Sequence, residues 1–291
     1  MIISKLSGGL GNQMFQYAIG RHLAMKNNSA LRLDTSGFRY YKLRNYDLSC
    51  FNIQENIATL EDLSHVLLPS DTPVHKVGRY LKAKIANHRP IQYIKEQKID
   101  FYPEILTLGD NTYLDGYWQS EKYFSDITDV IRDEFTVKNK PDPINESYLE
   151  EIKNCESVSV HVRRGDYVFN PTANQVHGFL GLGYYQKAMK TVLEKIDSPR
   201  FFIFSDDPEW VEGNIGINVP TTCIKHNSIK SYEDMRLMST CKHHIIANSS
   251  FSWWGAWLAS NEDKIVIGPS RWFRNSNYND LDRMPENWLR I

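Results

Sequence analysis

Four short segments hold the residues whose types and spacing could do chemistry. Arg163 and Arg164 precede Gly165 and Asp166, directly after an apolar run. A guanidinium fork can grip a diphosphate bidentately while its neighbour pairs internally, for which Asp166 is at hand. The same residues also suit a surface Arg–Asp pair. Asn248-Ser249-Ser250-Phe251 stands where a helix should begin. Free N–H groups and the positive end of the helix dipole would attract a phosphate there, and plain capping by Ser or Asn fits equally. The glycine turn Gly8-Gly9-Leu10-Gly11, followed by Asn12 and Gln13, lets a ligand approach the backbone. As a dinucleotide fingerprint it is defective, since Met14 stands where a third Gly or Ala belongs. Asp206-Asp207 could ligate a metal, but no nearby His or Glu completes a set.

Other matches carry less. Asp280-Leu281-Asp282 has the Asp-x-Asp form of metal-dependent sugar transferases, but about one such match is expected by chance in a chain of this composition. It reads as solvated loop, and a metal-free, arginine-based phosphate site is the better reading. His243-His244 and the cluster Trp253, Trp254 and Trp257 read as structure, and core packing is the leading use of Tyr117-Trp118 as well. Cys50, Cys155, Cys223 and Cys241 are scattered, which suggests neither zinc nor a disulfide framework and fits a reducing cytoplasm.

The elements that must position these residues follow from periodicity. Ile2–Leu6 is a strand, Met14–Lys26 a helix and Ala30–Asp34 a strand, so the glycine turn opens a βαβ unit. Residues 36–112 give no regular pattern. Tyr113–Trp118 reads as strand and Glu121–Phe135 as helix. Val137–Ser147, with two prolines and no apolar period, reads as linker. Then strands at 157–162, 201–204, 221–225, 244–247 and 264–267 alternate with helices at 184–196, 232–241 and 251–260. That alternation predicts a parallel sheet covered on both faces. In such a sheet ligands bind beyond the carboxyl ends of the strands, where Arg163, Asp206 and Asn248–Phe251 all fall. Strand geometry puts His161 and Arg163 on one face and Arg164 on the other.

The chain has 291 residues and a formal net charge of −1, with 41 % hydrophobic and 24 % charged residues. That is ordinary for a globular protein, and it lacks the basic excess of a nucleic-acid binder. No run approaches the roughly 20 apolar residues of a membrane span, and the first residues do not form a signal peptide. The length fits one large domain or two smaller ones.

Taken together, these segments resemble the α-1,2-fucosyltransferase family, glycosyltransferase family 11. The resemblance rests on Ser7-Gly-Gly-Leu-Gly-Asn-Gln-Met-Phe-Gln-Tyr-Ala18, Gly116-Tyr-Trp-Gln-Ser-Glu-Lys-Tyr123, His161-Val-Arg-Arg-Gly-Asp-Tyr167, Phe204-Ser-Asp-Asp207 and the run Cys241 to Trp257. It implies an α/β, GT-B-like architecture: two Rossmann-like domains with parallel sheets facing a cleft, residues 1–140 on the acceptor side and 148–291 holding GDP-fucose. It implies that Arg163 contacts the β-phosphate and Asp234 the guanine. Ser249, Ser250 and Phe251 match the phosphate turn, joined by Asn248 and Asp206. Gly9, Gly11, Asn12 and Gln13 match a loop reaching the donor from the other domain. His161 and Asp166 stand beside Arg163 as candidate catalytic residues, but the glutamate base of α-1,6 relatives is replaced by Pro171.

The expected reaction is inverting, metal-independent transfer of fucose from GDP-β-L-fucose to the 2-OH of a terminal galactoside, with no cofactor. The acceptor would be a galactose-terminated oligosaccharide or a lipid-linked glycan, with no nucleic-acid partner. The expected location is the bacterial cytoplasm, peripheral association with the inner membrane face included. Alternatives are a GDP-sugar transferase of another linkage, a non-catalytic nucleotide- or glycan-binding protein, and a Rossmann oxidoreductase.

Overall fold

The apolar run Ile2–Lys5 (β1) turns through the glycines into a helix, Leu10–Lys26 (α1), and returns as Leu31–Asp34 (β2). The turn needs glycine at Gly8, where φ is +74° and a Cβ would lie 2.5 Å from the Asn12 amide nitrogen. This computed structural model describes residues 1–40, 44–67, 76–77, 90–165, 174–175, 178–216, 218–275 and 278–291. The chain forms two compact units, Met1–Thr136 and Val137–Ile291.

In the first unit, β1 and β2 join Val66–Leu67 (β3), Ile91–Lys95 (β4) and Thr112–Asp115 (β5). All pairings are parallel, in the order β2-β1-β5-β4-β3. Helix α1 is buried along most of its length, and Ser4 Oγ donates to the Gln16 carbonyl at 2.6 Å. Leu60–Ser64 (α2) starts in a capping box between Thr59 and Asp62. The helix expected over 121–135 is shorter: Glu121–Tyr123 and Ser125–Ile127 are 3-10 turns, and Thr128–Glu134 (α3) is the helix. Hydroxyls break the first half, with Thr128 Oγ1 donating to the Ser125 carbonyl.

The second unit begins inside the expected linker. Asp142 caps Pro143–Lys153 (α4), with Pro143 in the first turn, so the two prolines mark a helix start as well as a connection. Then follow Glu156–Val162 (β6), Leu182–Leu193 (α5), Pro199–Ser205 (β7), Pro208–Asn214 (α6) and Thr221–Ile224 (β8). Ser231–Thr240 (α7), His243–Ile245 (β9), Ser250–Leu258 (α8), Val266–Gly268 (β10) and Leu289–Arg290 (β11) complete the unit. The sheet order is β11-β10-β9-β6-β7-β8, all parallel.

One core layer joins Val158, Val160 and Val162 to Tyr185, Met189 and Val192 of α5. The other joins Phe202 and Phe204 to Ile152, Leu237 and Met238. The opposite face of β6 is polar and buried: Ser157, Ser159 and His161. Among the described residues no helix is long and apolar enough to cross a membrane.

Candidate active site

The chain leaves β6 outward to β7 and β8, then returns to place β9 on the other side of β6. Connections diverge at this pair, and the crevice beyond its carboxyl ends is where open α/β sheets bind ligands. Arg163 follows β6, Asp206 follows β7, and Asn248–Ser249 lead from β9 into α8. The structure thus gathers the predicted clusters at one rim.

Asp206 is the hub. Its Oδ2 lies 2.6 Å from Arg163 Nη1, and its Oδ1 accepts the backbone N–H groups of Arg164 at 2.8 Å and Gly165 at 3.2 Å. A Cβ on Gly165 would stand 2.5 Å from Oδ2, so only glycine lets the carboxylate sit this close. Arg164 turns the other way, as strand alternation requires. It pairs with Asp207 at 3.0 Å and lies 4.0 Å over the Trp210 ring. Asp207 also caps α6 through Trp210 N–H. Among the described residues the internal partner of Arg164 is Asp207; Asp166, with Pro171, lies outside them. Both carboxylates of the Asp206–Asp207 pair are engaged by arginines, which gives them a role other than metal ligation.

His161 is buried on the Arg163 side, its ring 5.6 Å from that of Phe251 at the start of α8. Nδ1 has no hydrogen-bond partner among the described residues. Burial pulls the imidazole down to about 4, with Asp206 pulling the other way and Arg163 adding to the drop. It is neutral at physiological pH. Ser249 occupies the cap position of α8 without a side-chain capping bond, and Ser250 and Phe251 open the helix, half-buried. The capping reading of this turn is not what the hydroxyl of Ser249 does. Asn248 is buried, and its amide nitrogen donates to the carbonyls of Trp272 at 3.2 Å and Gly178 at 3.4 Å. It braces the turn.

Asp234 sits in the first turn of α7 and accepts from Asn227 Nδ2 at 2.9 Å. Burial raises its carboxyl to about 6; the Asn227 hydrogen bond opposes the rise, and Glu233 adds to it. Glu233 is paired with Arg236 at 2.9 Å, leaving Asp234 without a cation among the described residues. The sequence does not single out Asn227, because a lone asparagine outside any helix or strand carries no local signal.

In the first unit, Gly9 and Gly11 form the turn and start of α1. Asn12 is half-buried, its Oδ1 accepting from Gln119 at 2.6 Å. Gln13 is fully buried and wholly committed: Nε2 donates to the carbonyls of Gly8 and Asn45, and Oε1 accepts from Asp47 N–H. Its side chain braces the turn. Trp118 is buried, as are Trp253, Trp254 and Trp257; Trp253 Nε1 donates to the Arg283 carbonyl at 2.7 Å. His244 bonds Ser159 at 2.8 Å, and His243 Nδ1 accepts from Ile265 N–H. Asp280, expected in solvated loop, accepts Trp272 N–H and faces Arg290 at 3.8 Å, so it ties the C-terminal segment together. An open recess of about 660 Å³, lined by Lys153, Glu156, Lys242 and His243, lies at the amino ends of β6 and β9, away from the rim.

The model of the family described as Glycosyl transferase family 11 matches residues 1–291. An alpha-1,2-colitosyltransferase of Escherichia coli is 36 % identical over 295 residues, covering 100 % of this chain and 99 % of that one. The O-antigen biosynthesis glycosyltransferase WbnK of Escherichia coli is 34 % identical over 311 residues, covering 99 % of each. Among solved structures, NodZ alpha-1,6-fucosyltransferase soaked with GDP-fucose superposes with a TM-score of 0.51 at 15 % identity, over 88 % of this chain and 91 % of that one. That likeness shows the fold, the GT-B type built from two Rossmann-like parallel-sheet units.

Proposed function

Since the chain belongs to glycosyl transferase family 11, and is thereby a glycosyltransferase, we propose that it is an inverting α-1,2-fucosyltransferase. In this reading it moves L-fucose from GDP-β-L-fucose to the 2-OH of a terminal galactoside, on an oligosaccharide or a lipid-linked glycan, without a metal. The observation that carries the reading is the Arg163–Asp206 pair at the switch point, on the same rim as the α8 N-terminus, whose cap residue Ser249 makes no side-chain capping bond.

Departure of GDP builds negative charge on the β-phosphate. Arg163, swinging from Asp206 to that phosphate, supplies a bidentate fork, and the first amides of α8 at Ser250 and Phe251 add aligned donors. These are preorganised groups aimed at charge that grows in the transition state, the part a metal plays elsewhere. Neutral His161 adds no repulsive or competing charge beside them. Asp234, with one carboxylate oxygen unbonded and no cation paired among the described residues, matches the adjacent N–H donors of guanine. Asp166 stays in this proposal as a residue beside Arg163 in sequence.

The 36 % identical relative named for colitose transfer favours a second reading, in which the donor carries colitose. The test uses purified protein with GDP-fucose or GDP-activated colitose, each against a panel of β-galactosides including lactose, with linkages read by NMR. An α-1,2-linked fucoside is expected. Product only with the colitose donor selects the second reading. Tight GDP binding with no transfer to any acceptor overturns both in favour of a binding protein.

A further inference from the structure

Asn227 lies in a chain of hydrogen bonds that runs from Asp142, at the start of α4, to Asp234. Asp142 Oδ1 accepts both the backbone and the side-chain N–H of Asn145, each at 3.0 Å. Asn145 is fully buried and Asn227 is 4 % exposed. The two amides pair reciprocally: Asn145 Nδ2 donates to Asn227 Oδ1 at 3.0 Å, and Asn227 Nδ2 donates back to Asn145 Oδ1 at 2.9 Å. Nε2 of His226 also donates to Asn145 Oδ1, at 3.0 Å, and its ring stacks on Tyr148. The remaining Asn227 hydrogen goes to Asp234 Oδ1 at 2.9 Å.

The carboxylates at both ends can only accept, so both amide orientations are determined. Every amide hydrogen in the chain is used. Buried networks of this kind rigidify what they hold because each member would be costly to leave unpaired. What is held is one oxygen of Asp234. The other, Oδ2, has no hydrogen-bond partner among the described residues.

We propose that Asn227 is a positioning residue for the nucleotide: anchored through Asn145 to α4, it holds Asp234 Oδ1 and so presents Asp234 Oδ2 to the paired N–H donors of a guanine. This rests on the reading that Asp234 meets the base. The charged and titratable groups around it are Glu233 with its partner Arg236, Asp142 with Lys230 at 3.6 Å, His226, and the Cys223 thiol of β8. Glu233 and burial both favour the protonated carboxyl. The Asn227 N–H is the local group favouring the ionised form that a guanine requires.

The test is calorimetric titration of GDP and IDP into wild type, Asn227→Ala, Asn227→Asp and Asp234→Asn, from about pH 5.5 to about 8.5, alongside donor KM and kcat. IDP lacks the exocyclic amine of GDP. Wild type should lose GDP affinity as pH falls through about 6, where Asp234 protonates. In Asn227→Ala the midpoint should move up, affinity near neutrality should fall about tenfold and recover at high pH, and the preference for GDP over IDP should shrink. Donor KM should rise with kcat within about twofold. Asn227→Asp keeps the shape and turns the donor into an acceptor; it covers a failure of the alanine variant to fold, and should move the midpoint further. A merely structural asparagine would lower Tm and leave midpoint and preference unchanged, which overturns the inference if Asp234→Asn still loses GDP. Wild-type GDP affinity in Asp234→Asn overturns instead the reading beneath it.

Discussion

The carboxyl rims of the two parallel sheets hold similar residue types in opposite conditions. In the first unit, the carboxylates and buried glutamines there are spent on neighbouring groups, although the indole N–H of Trp118 beyond β5 has no partner among the described residues. Asp34 accepts the Tyr113 hydroxyl at 2.6 Å and Ser36 N–H at 2.9 Å, and Asp115 holds Lys5 at 3.0 Å together with the Tyr93 hydroxyl. Gln13 and Gln16 are buried with every side-chain polar atom bonded. In the second unit, the rim keeps chemistry in reserve: a buried imidazole nitrogen on His161 and one oxygen on Asp234, neither with a hydrogen-bond partner among the described residues. A satisfied rim stabilises its sheet. Leaving a buried polar group such as the His161 nitrogen unmatched costs free energy, which a ligand at this rim would recover in the reading proposed above.

That contrast predicts which substitutions cost turnover and which cost stability. The largest effect is expected from Arg163→Ala, with kcat/KM falling at least ~10²–10³-fold and Tm nearly unchanged; Arg163→Lys should also suffer, because a point charge cannot form the fork. Next, Gly165→Ala drives a methyl into Asp206 and displaces Arg163, and steady-state kinetics should show a loss on the order of 10²-fold with the fold intact by circular dichroism. Gln13→Ala should behave the other way. It strands two carbonyls and one N–H, so urea unfolding should show a loss of about 3 kcal/mol, while specific activity below the transition stays within about twofold. Smallest is Tyr113→Phe, expected to cost about 1–2 kcal/mol by the same assay with kinetics unchanged. If Gln13→Ala lost turnover as Arg163→Ala does, without losing stability, the contrast between the rims would fail.

Much of the second unit was legible in the sequence, because each of its strands is a short apolar run ending in a polar cluster. The 3-2-1-4-5-6 type of strand order was not, since register is a tertiary fact. The Arg164–Asp207 pair has no local signal for that reason: β6 and β7 align Val162 with Ser205, which brings the residues after each strand together. Similarly, Pro141 and Pro143 read as linker, yet Asp142-Pro143 is a cap followed by a first-turn proline. β4 leaves little apolar signal in the sequence because the strand is half-exposed, with only Ile91 buried. Of the site, the residue types at the rim could be read directly. The commitments of Gln13 and Asn248, and the existence of the Asn145–Asn227 pair, depend on contacts distant in the chain and leave no local trace.

The central claim, that the rim of the second unit is a diphosphate site operating through Arg163 and a helix end, is tested most directly by calorimetric titration of GDP in EDTA. Wild type is predicted to bind GDP with the same affinity whether or not EDTA is present, and Arg163→Ala to bind at least about tenfold more weakly. GDP binding that disappears in EDTA, or that Arg163→Ala leaves untouched, would contradict it.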